Sequence, residues 1–487
     1  MPAPDQGAER YRALEQDPRL LTRSGADIFA NRNGYDISVS AFLTDVAHCA
    51  DQLPDARYCI NLCTDRYRFT TAFFAAALRG QTTLLPSQRS SQALNDLRSK
   101  YSRCAVLADD PETLCDALID LAPSVNHTAS ELRTPQIDPA QLIAIAFTSG
   151  STGAPEAHPK TWAQLTAGRA THARYLHAAR NHNATTTNPP ATNTERHTQT
   201  LGLVATVPSW HMYGLEWAML LPTVAPYTLH CGPDFFPGDV RDAVARFAQP
   251  TVLVSTPVHL RALLKAPVPE NEVRAIVCAT APLDQTLVKA TEQHLSSTMF
   301  EIYGCSEIGS LAWRQPALEP GWEFFDNLNL QFADPTTADD TADLLSVSTS
   351  HMTEAITLAD RFGQLPNKKY ELLGRSTDLV KIAGKRESLA NLNSVLLALP
   401  GVDDGVIYLP SALTEQLTTS QDGEERLAAF VVGTNLNLTD LRQALAAQLD
   451  PAFVPRPIRL VNALPRDTTS KLKLSALAEL ALSYADV

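Results

Sequence analysis

Short apolar runs of two kinds alternate along the first half of the chain. Arg57–Leu62 is strand-like, Phe69–Leu78 is an Ala/Phe-rich run of helical length, Thr82–Leu85 is again strand-like, and Ser91–Lys100 is helical. Further apolar runs at Ile143–Phe147, Leu201–Val207, Thr251–Ser255 and Arg274–Cys278 extend the series. Strands separated by helices predict an α/β fold with a largely parallel sheet. Asn181–Thr200 breaks the pattern: it is rich in Thr, Asn and Pro, has no apolar period, and reads as a solvated loop or insertion. Asp334–Asp343 is a second polar, turn-rich stretch. After Gly374–Asp378 the elements become short, which places a boundary there. Residues 1–375 are expected to form a large N-terminal domain of layered sheets with helices, and 376–487 a small α+β domain of about 110 residues, within the usual domain range.

The bulk numbers narrow the class. A chain of 487 residues is too long for one core. A formal net charge of -13 argues against a nucleic-acid partner, which needs a concentrated basic surface, but leaves room for a nucleotide held by backbone dipoles and a few cations. The 8 cysteines are scattered with no CxxC pair, so reduced thiols in the cytoplasm are expected, without a zinc site or disulfide framework. The start, MPAPDQGAER, lacks the basic and apolar regions of a secretory signal, and no apolar run approaches the length of a membrane span, about 20 residues.

Candidate chemistry begins where the strand-like Ile143–Phe147 runs into Thr148, Ser149, Gly150, Ser151, Thr152 and Gly153. Glycines permit positive φ and close approach, successive N–H groups make an anion nest, and hydroxyls add donors without bulk. A phosphate cradle and a plain Ser/Gly surface turn are both open on this composition. The Walker spacing is absent, as are a G-x-S-x-G elbow and an H-E-x-x-H zinc motif.

Downstream lie Tyr303-Gly-Cys-Ser-Glu307, Asp360 in LADRFGQL, Gly374-Arg375-Ser-Thr-Asp378-Leu-Val-Lys381, and Pro465-Arg466-Asp-Thr-Thr-Ser470-Lys471. Together with TSGSTG and in this order, these stretches resemble the adenylate-forming superfamily of acyl- and aryl-CoA synthetases, nonribosomal adenylation domains and luciferases. The resemblance implies an N-terminal adenylation core, a mobile C-terminal domain on a hinge at Ser376–Asp378, and ATP with Mg²⁺. The loop from Thr148 to Gly153 would cradle phosphate, Tyr303 and Gly304 would border adenine and acyl group, and Ser306 would donate to the α-phosphate. Glu307 would hold Mg²⁺ through hard carboxylate oxygens. Asp360 and Arg375 would take the ribose hydroxyls, Ala281 and Pro282 would leave room beside adenine, and Lys471 would stabilise charge where carboxylate and α-phosphate meet.

In Pro208-Ser-Trp-His-Met-Tyr-Gly-Leu-Glu216, the resemblance places Trp210, His211 and Tyr213 near the acyl substrate, while core packing is an equal reading for each. The chain also departs from the family. Glu156 stands where a lysine usually follows the loop proline, Thr377 occupies a hinge position usually held by aspartate, and Ser470 and Leu474 replace a glycine and an arginine around Lys471. Lys160 is the nearest substitute cation, expected in the first turn of a helix opened by Pro159. The implied activity is conversion of a small carboxylic acid to acyl-AMP and transfer to a thiol, either CoA or the phosphopantetheine of an acyl carrier protein. TSGSTGAPEAHPKTW, GQTTLLPSQRS and PSWHMYGLEW are similar to the ligases of aryl-polyene and xanthomonadin-type pigment clusters, which implies an aryl acid such as a hydroxybenzoate. Two alternatives stand beside this: a medium-chain or other acyl-CoA synthetase, and a degenerate nucleotide-binding regulatory relative.

Overall fold

Contiguous β-branched and aliphatic runs bury both of their faces when strands lie parallel under helices, and the first half of the chain folds this way. The computed structural model describes residues 6–86, 89–121, 134–149, 155–183, 199–232, 235–269, 271–281, 283–332, 344–375, 379–382, 385–413, 426–433, 436–466, 472 and 474–484. Its first strands are Ile28–Arg32 (β1), Tyr35–Ser38 (β2), Tyr58–Asn61 (β3), Thr82–Leu85 (β4), Cys104–Ala108 (β5), Ala117–Leu118 (β6), Leu142–Ser149 (β7) and Pro155–Thr161 (β8). One sheet has the order β6-β5-β3-β4-β7-β8, parallel throughout except for the antiparallel β7–β8 pair. Ile60, Leu84, Leu97, Val106, Ile145 and Phe147 are buried together against it.

The helices start where local chemistry predicts. Asp65 caps Arg66–Leu78 by accepting the Arg68 N–H at 2.9 Å, and Ser90 caps Ser91–Lys100 through the Ala93 N–H at 3.3 Å. Phe69, Phe73 and Phe74 are fully buried in the first of these helices, which is buried on nearly every side, its buried Arg66 and Thr70 satisfied by hydrogen bonds to main-chain carbonyls. Each such ring contributes about 1.5–3 kcal/mol by leaving water.

A second sheet contains Leu201–Ala205 (β9), Tyr227–His230 (β10), Thr251–Ser255 (β11), Val273–Cys278 (β12), Thr298–Cys305 (β13) and Gly309–Arg314 (β14). Its strands run in the order β14-β13-β12-β11-β9-β10-β1-β2. The pairs from β13 across to β1 are parallel, and β2 closes the edge antiparallel to β1. The α/β architecture of layered sheets and helices is therefore the observed one.

Two expectations change. Pro159 does not open a helix: β8 continues through Thr161, with Ile145 opposite Pro159 and Ala144 opposite Lys160. Proline lacks an N–H but loses nothing at a sheet edge, and β8 is the edge strand. The helix begins only at Trp162 and runs to Asn183, three residues into the expected loop. Most of that loop, Asp334–Asp343, and the expected hinge at Ser376–Asp378 lie outside the described residues.

The chain divides into two compact units. The first comprises Met1–Ser255, Ala266–Cys278 and Gln293–Ala312, the second Thr256–Lys265, Ala279–Glu292 and Trp313–Val487. The boundary expected after residue 375 is a different division, inside the second unit. That unit contains Glu323–Phe324 (β15) and an antiparallel sheet of Asn329–Phe332 (β16), Leu344–Ser348 (β17), Ile356–Leu365 (β18) and Lys369–Arg375 (β19). Beyond it come the hairpin Leu379–Ile382 (β20) and Lys385–Ser388 (β21), then Asp404–Tyr408 (β22), Ala428–Val432 (β23) and Ile458–Leu460 (β24). Leu392, Leu396, Ile407 and Val431 fill one core there, and Tyr408, Phe430, Leu464 and Leu477 another. Among the described residues no helix is long and apolar enough to cross a membrane.

Candidate active site

Thr148 and Ser149 are the last residues of β7, so the phosphate-loop candidate leaves the C-terminal end of a strand parallel to β4. Gly150, Ser151, Thr152 and Gly153 lie outside the described residues. Across the hairpin, Thr148 faces the exposed Glu156. Two turns of alternation further along β8, Lys160 is only 1% exposed, and its Nζ donates to the main-chain carbonyl of Glu307. Burial lowers the basicity of this amine, while the nearby Glu216 and Glu307 carboxylates act to retain its proton.

Tyr303 and Gly304 lie near the end of β13, which closes at Cys305, and Ser306 and Glu307 are in the turn into β14. A Cβ at Gly304 would run into the backbone of Gly309 and Ser310, so glycine is required for the two strands to close. Burial pushes the Glu307 carboxyl up. Hydrogen bonds from its own backbone N–H and the Cys305 side chain, with His158 and Lys160 nearby, outweigh this and leave it below the usual glutamate range. An ionised, half-buried carboxylate suits Mg²⁺ that arrives on nucleotide phosphates, which needs only one or two protein oxygens. Among the described residues no group of three or more His, Cys, Asp or Glu offers a cage for a metal of its own.

The stretch Pro208–Glu216 is a tight turn into a helical segment. The His211 N–H reaches Pro208 O at 3.3 Å, Leu215 N–H reaches His211 O at 2.7 Å, and a Cβ at Gly214 would strike Pro208 O. Trp210 is half-buried with the Arg89 guanidinium 3.5 Å over its ring, and Phe69 lies at 6.3 Å. His211, also half-buried, precedes the short helix Met212–Gly214. Tyr213 is committed elsewhere: its hydroxyl meets Val277 O at 2.7 Å and Ser255 O at 3.2 Å, and burial pushes its pKa well up. Core packing, one of its two readings, accounts for Tyr213.

In the second unit, Asp360 and Arg375 are direct cross-strand partners on β18 and β19. Residues 15 apart in sequence are thus brought side by side, a juxtaposition only the pairing register makes visible. Pro282 and Lys471 lie outside the described residues. Ala281 follows Thr280, whose φ of 85 is rare for a β-branched residue and whose buried hydroxyl lacks a hydrogen-bond partner among the described residues. Such strain costs about 1–3 kcal/mol, and glycine's own conformational cost is about 0.5–1 kcal/mol. Thr280→Gly is therefore expected to stabilise the fold by about 1 kcal/mol, read from denaturation midpoints. A loss of stability would show that threonine's packing outweighs its strain.

Sequence reasoning passed over Glu216 and Ser310. Glu216 accepts the Ser310 N–H at 3.0 Å and its Oγ–H at 2.7 Å, and Trp217 Nε1–H donates to the same Oγ at 2.9 Å. The signal was one acid inside the apolar run LEWAMLL, which strand and helix patterns treat as noise.

The comparisons agree with this architecture. A model of the AMP-binding enzyme family matches residues 51–333, and the chain belongs to that family. It is 27% identical to a 4-coumarate–CoA ligase from Rhodobacter capsulatus over 68% of this chain and 74% of the relative. It is 39% identical to an isonitrile lipopeptide synthase from Streptomyces coeruleorubidus over 22% of this chain. That match spans 7% of the synthase's length, and matches to three other large synthases span 4% or less. ATP-bound MatB from Rhodopseudomonas palustris shares the fold, with a TM-score of 0.73 at 17% identity over 97% of this chain and 98% of that one.

Proposed function

We propose that this protein activates a carboxylic acid with ATP as acyl-AMP and transfers the acyl group to a thiol. The observation that carries this reading is the hydrogen bond from Lys160 to Glu307 O. It joins the β7–β8 hairpin, whose first strand leads into the TSGSTG stretch, to the Tyr303–Glu307 stretch in the same unit. In the first step a carboxylate oxygen of the substrate attacks the α-phosphorus, the new acyl–oxygen–phosphorus linkage forms, and the bond to pyrophosphate breaks. In the second a thiol sulfur attacks the acyl carbon, AMP departs, and the thiol proton is released.

In this reading Thr148–Gly153 hold phosphates, Tyr303 offers its ring to adenine, and Ser306 donates to the α-phosphate. Glu307 would hold Mg²⁺, which supplies neutralisation of the phosphate charge when bound. Asp360 and Arg375 take the ribose hydroxyls, and Lys471 stabilises the charge that develops at the α-phosphate. The segment 376–487 turns about Ser376–Asp378 between the two steps, keeping water from the acyl-AMP.

The acid in this reading is an aryl acid such as a hydroxybenzoate, consistent with a pigment-cluster type of ligase, and the acceptor is CoA or a carrier-protein phosphopantetheine. The half-buried Trp210 and the similarity to a 4-coumarate–CoA ligase support an aromatic substrate. Acid-dependent pyrophosphate release with hydroxybenzoates, cinnamates and fatty acids tests this. Release with fatty acids alone would favour a medium-chain acyl-CoA synthetase. ATP binding without release for any acid would favour a nucleotide-binding regulator.

The ribose assignment has its own test. Asp360→Ala removes a charged hydrogen-bond acceptor, a loss of about 1.5–3 kcal/mol. The KM for ATP should rise about 10-fold or more, with the thermal midpoint little changed. An unaltered ATP KM removes Asp360 from the nucleotide site.

A further inference from the structure

A lysine is seldom buried without a partner, because an ammonium leaves water at high cost. Lys160 is almost completely buried and spends a hydrogen bond on a main-chain carbonyl, that of Glu307. Glu216, 7% exposed, sits on a six-residue π-helical turn, Leu215–Leu220, a geometry found mostly at functional sites. Its carboxylate grips Ser310 through two hydrogen bonds and lies where a Cβ of Gly309 would be, at a residue with φ of 117. Burial pushes the Glu216 carboxyl up to about 7, against the pull of Ser310 and Lys160. The turn that carries Glu307 is thus held by two buried groups, Lys160 at the Glu307 carbonyl and Glu216 at Ser310 just beyond it.

We infer that Lys160 and Glu216 are a positioning pair for Glu307: Lys160 fixes its carbonyl, Glu216 fixes Gly309–Ser310, and the turn between them presents the Glu307 carboxylate in one direction. Lys160 then takes no part in binding triphosphate, which differs from its expected role as a substitute loop cation. The inference rests on the reading in which Glu307 carries the metal of the bound nucleotide. Cys305 and His158 also face this turn, the first beside Lys160 and Glu307, the second beside Glu307 and Lys160.

The test is Mn²⁺ binding to the full chain, followed by electron paramagnetic resonance in the presence of α,β-methylene-ATP. Lys160→Met should weaken Mn²⁺ about 10-fold, in the range typical for residues that orient a metal ligand. The Lys160→Met/Glu307→Gln double variant should be no weaker than Glu307→Gln alone, since both changes remove one function. Affinity for the nucleotide analogue without metal should stay at the wild-type value. Losses that add, together with weaker metal-free nucleotide binding, would make Lys160 a phosphate ligand and overturn the pair. Unchanged Mn²⁺ affinity in Lys160→Met, with Glu307→Gln weakened, overturns the pair alone. Wild-type Mn²⁺ affinity in Glu307→Gln overturns the metal reading and the pair with it. Should Lys160→Met not fold, Ser310→Ala, which removes one donor to Glu216, carries the same comparison with a smaller shift in the same direction.

Discussion

Lys471→Ala is expected to slow acyl-AMP formation by about 10²–10³ while leaving transfer from pre-made acyl-AMP to the thiol nearly intact. That loss is typical of removing one preorganised stabiliser of transition-state charge. In the adenylation step negative charge gathers where carboxylate, α-phosphate and departing pyrophosphate meet, and a lysine there lowers the barrier by being already in place. In thiol transfer the phosphate is a leaving group, and the proposed rotation about Ser376–Asp378 takes the lysine away. Lys471 itself lies outside the described residues. Arg466 and Leu472 are bridged antiparallel, and Arg466 grips both carboxylate oxygens of Asp404 on β22 at 2.7 Å each. A bidentate, charge-assisted pair of this kind sets direction as well as distance. Pyrophosphate exchange measures the first step, and release of AMP from synthetic acyl-AMP in the presence of thiol measures the second. Equal losses in both would make Lys471 structural and remove the two-orientation scheme.

Glu307→Gln should produce the other large effect. Glutamine keeps the shape of the side chain but removes the charge that favours a hard dication. Changing a residue that only orients a metal ligand already costs about 10–100-fold in metal affinity, so losing the ligand's charge should cost at least that. Adenylation should need correspondingly more Mg²⁺ and should remain slow even when the metal saturates. The thermal midpoint should move little, because the carboxylate is half-buried and the main-chain contacts of the turn persist in the variant. Titrating Mg²⁺ at fixed ATP in both proteins decides the matter, and an unchanged Mg²⁺ dependence overturns the assignment. Set beside the Mn²⁺ experiment on Lys160, this separates the group that touches the metal from the groups that aim it.

Local patterns determined much of this protein before any contact was known. The runs at Thr82–Leu85, Ser91–Lys100 and Thr251–Ser255 match the observed elements end to end, and the other apolar runs match within a few residues. Strand and helix periods, Asx and Ser caps, and contiguous β-branched burial all act over a handful of neighbouring residues, so the sequence displays them directly. The order of TSGSTG, YGCSE, Asp360, Arg375 and Lys471 likewise pointed to the family without a fold. Tertiary structure alone decided the rest, because each remaining feature depends on residues far apart in the chain. Pro159 is compatible with both a helix start and an edge strand, and only pairing of β8 with β7 selects the strand. Asp360 and Arg375 meet through strand register. The Tyr213 hydroxyl finds the carbonyls of Ser255 and Val277, and Thr280 is driven to positive φ by the path of the chain after β12. Lys160 and Glu216 look like a surface cation and a stray acid in an apolar run. Their burial on either side of the Glu307 turn arises from long-range packing, where the cost of desolvating a charge is set by the partners that three dimensions supply.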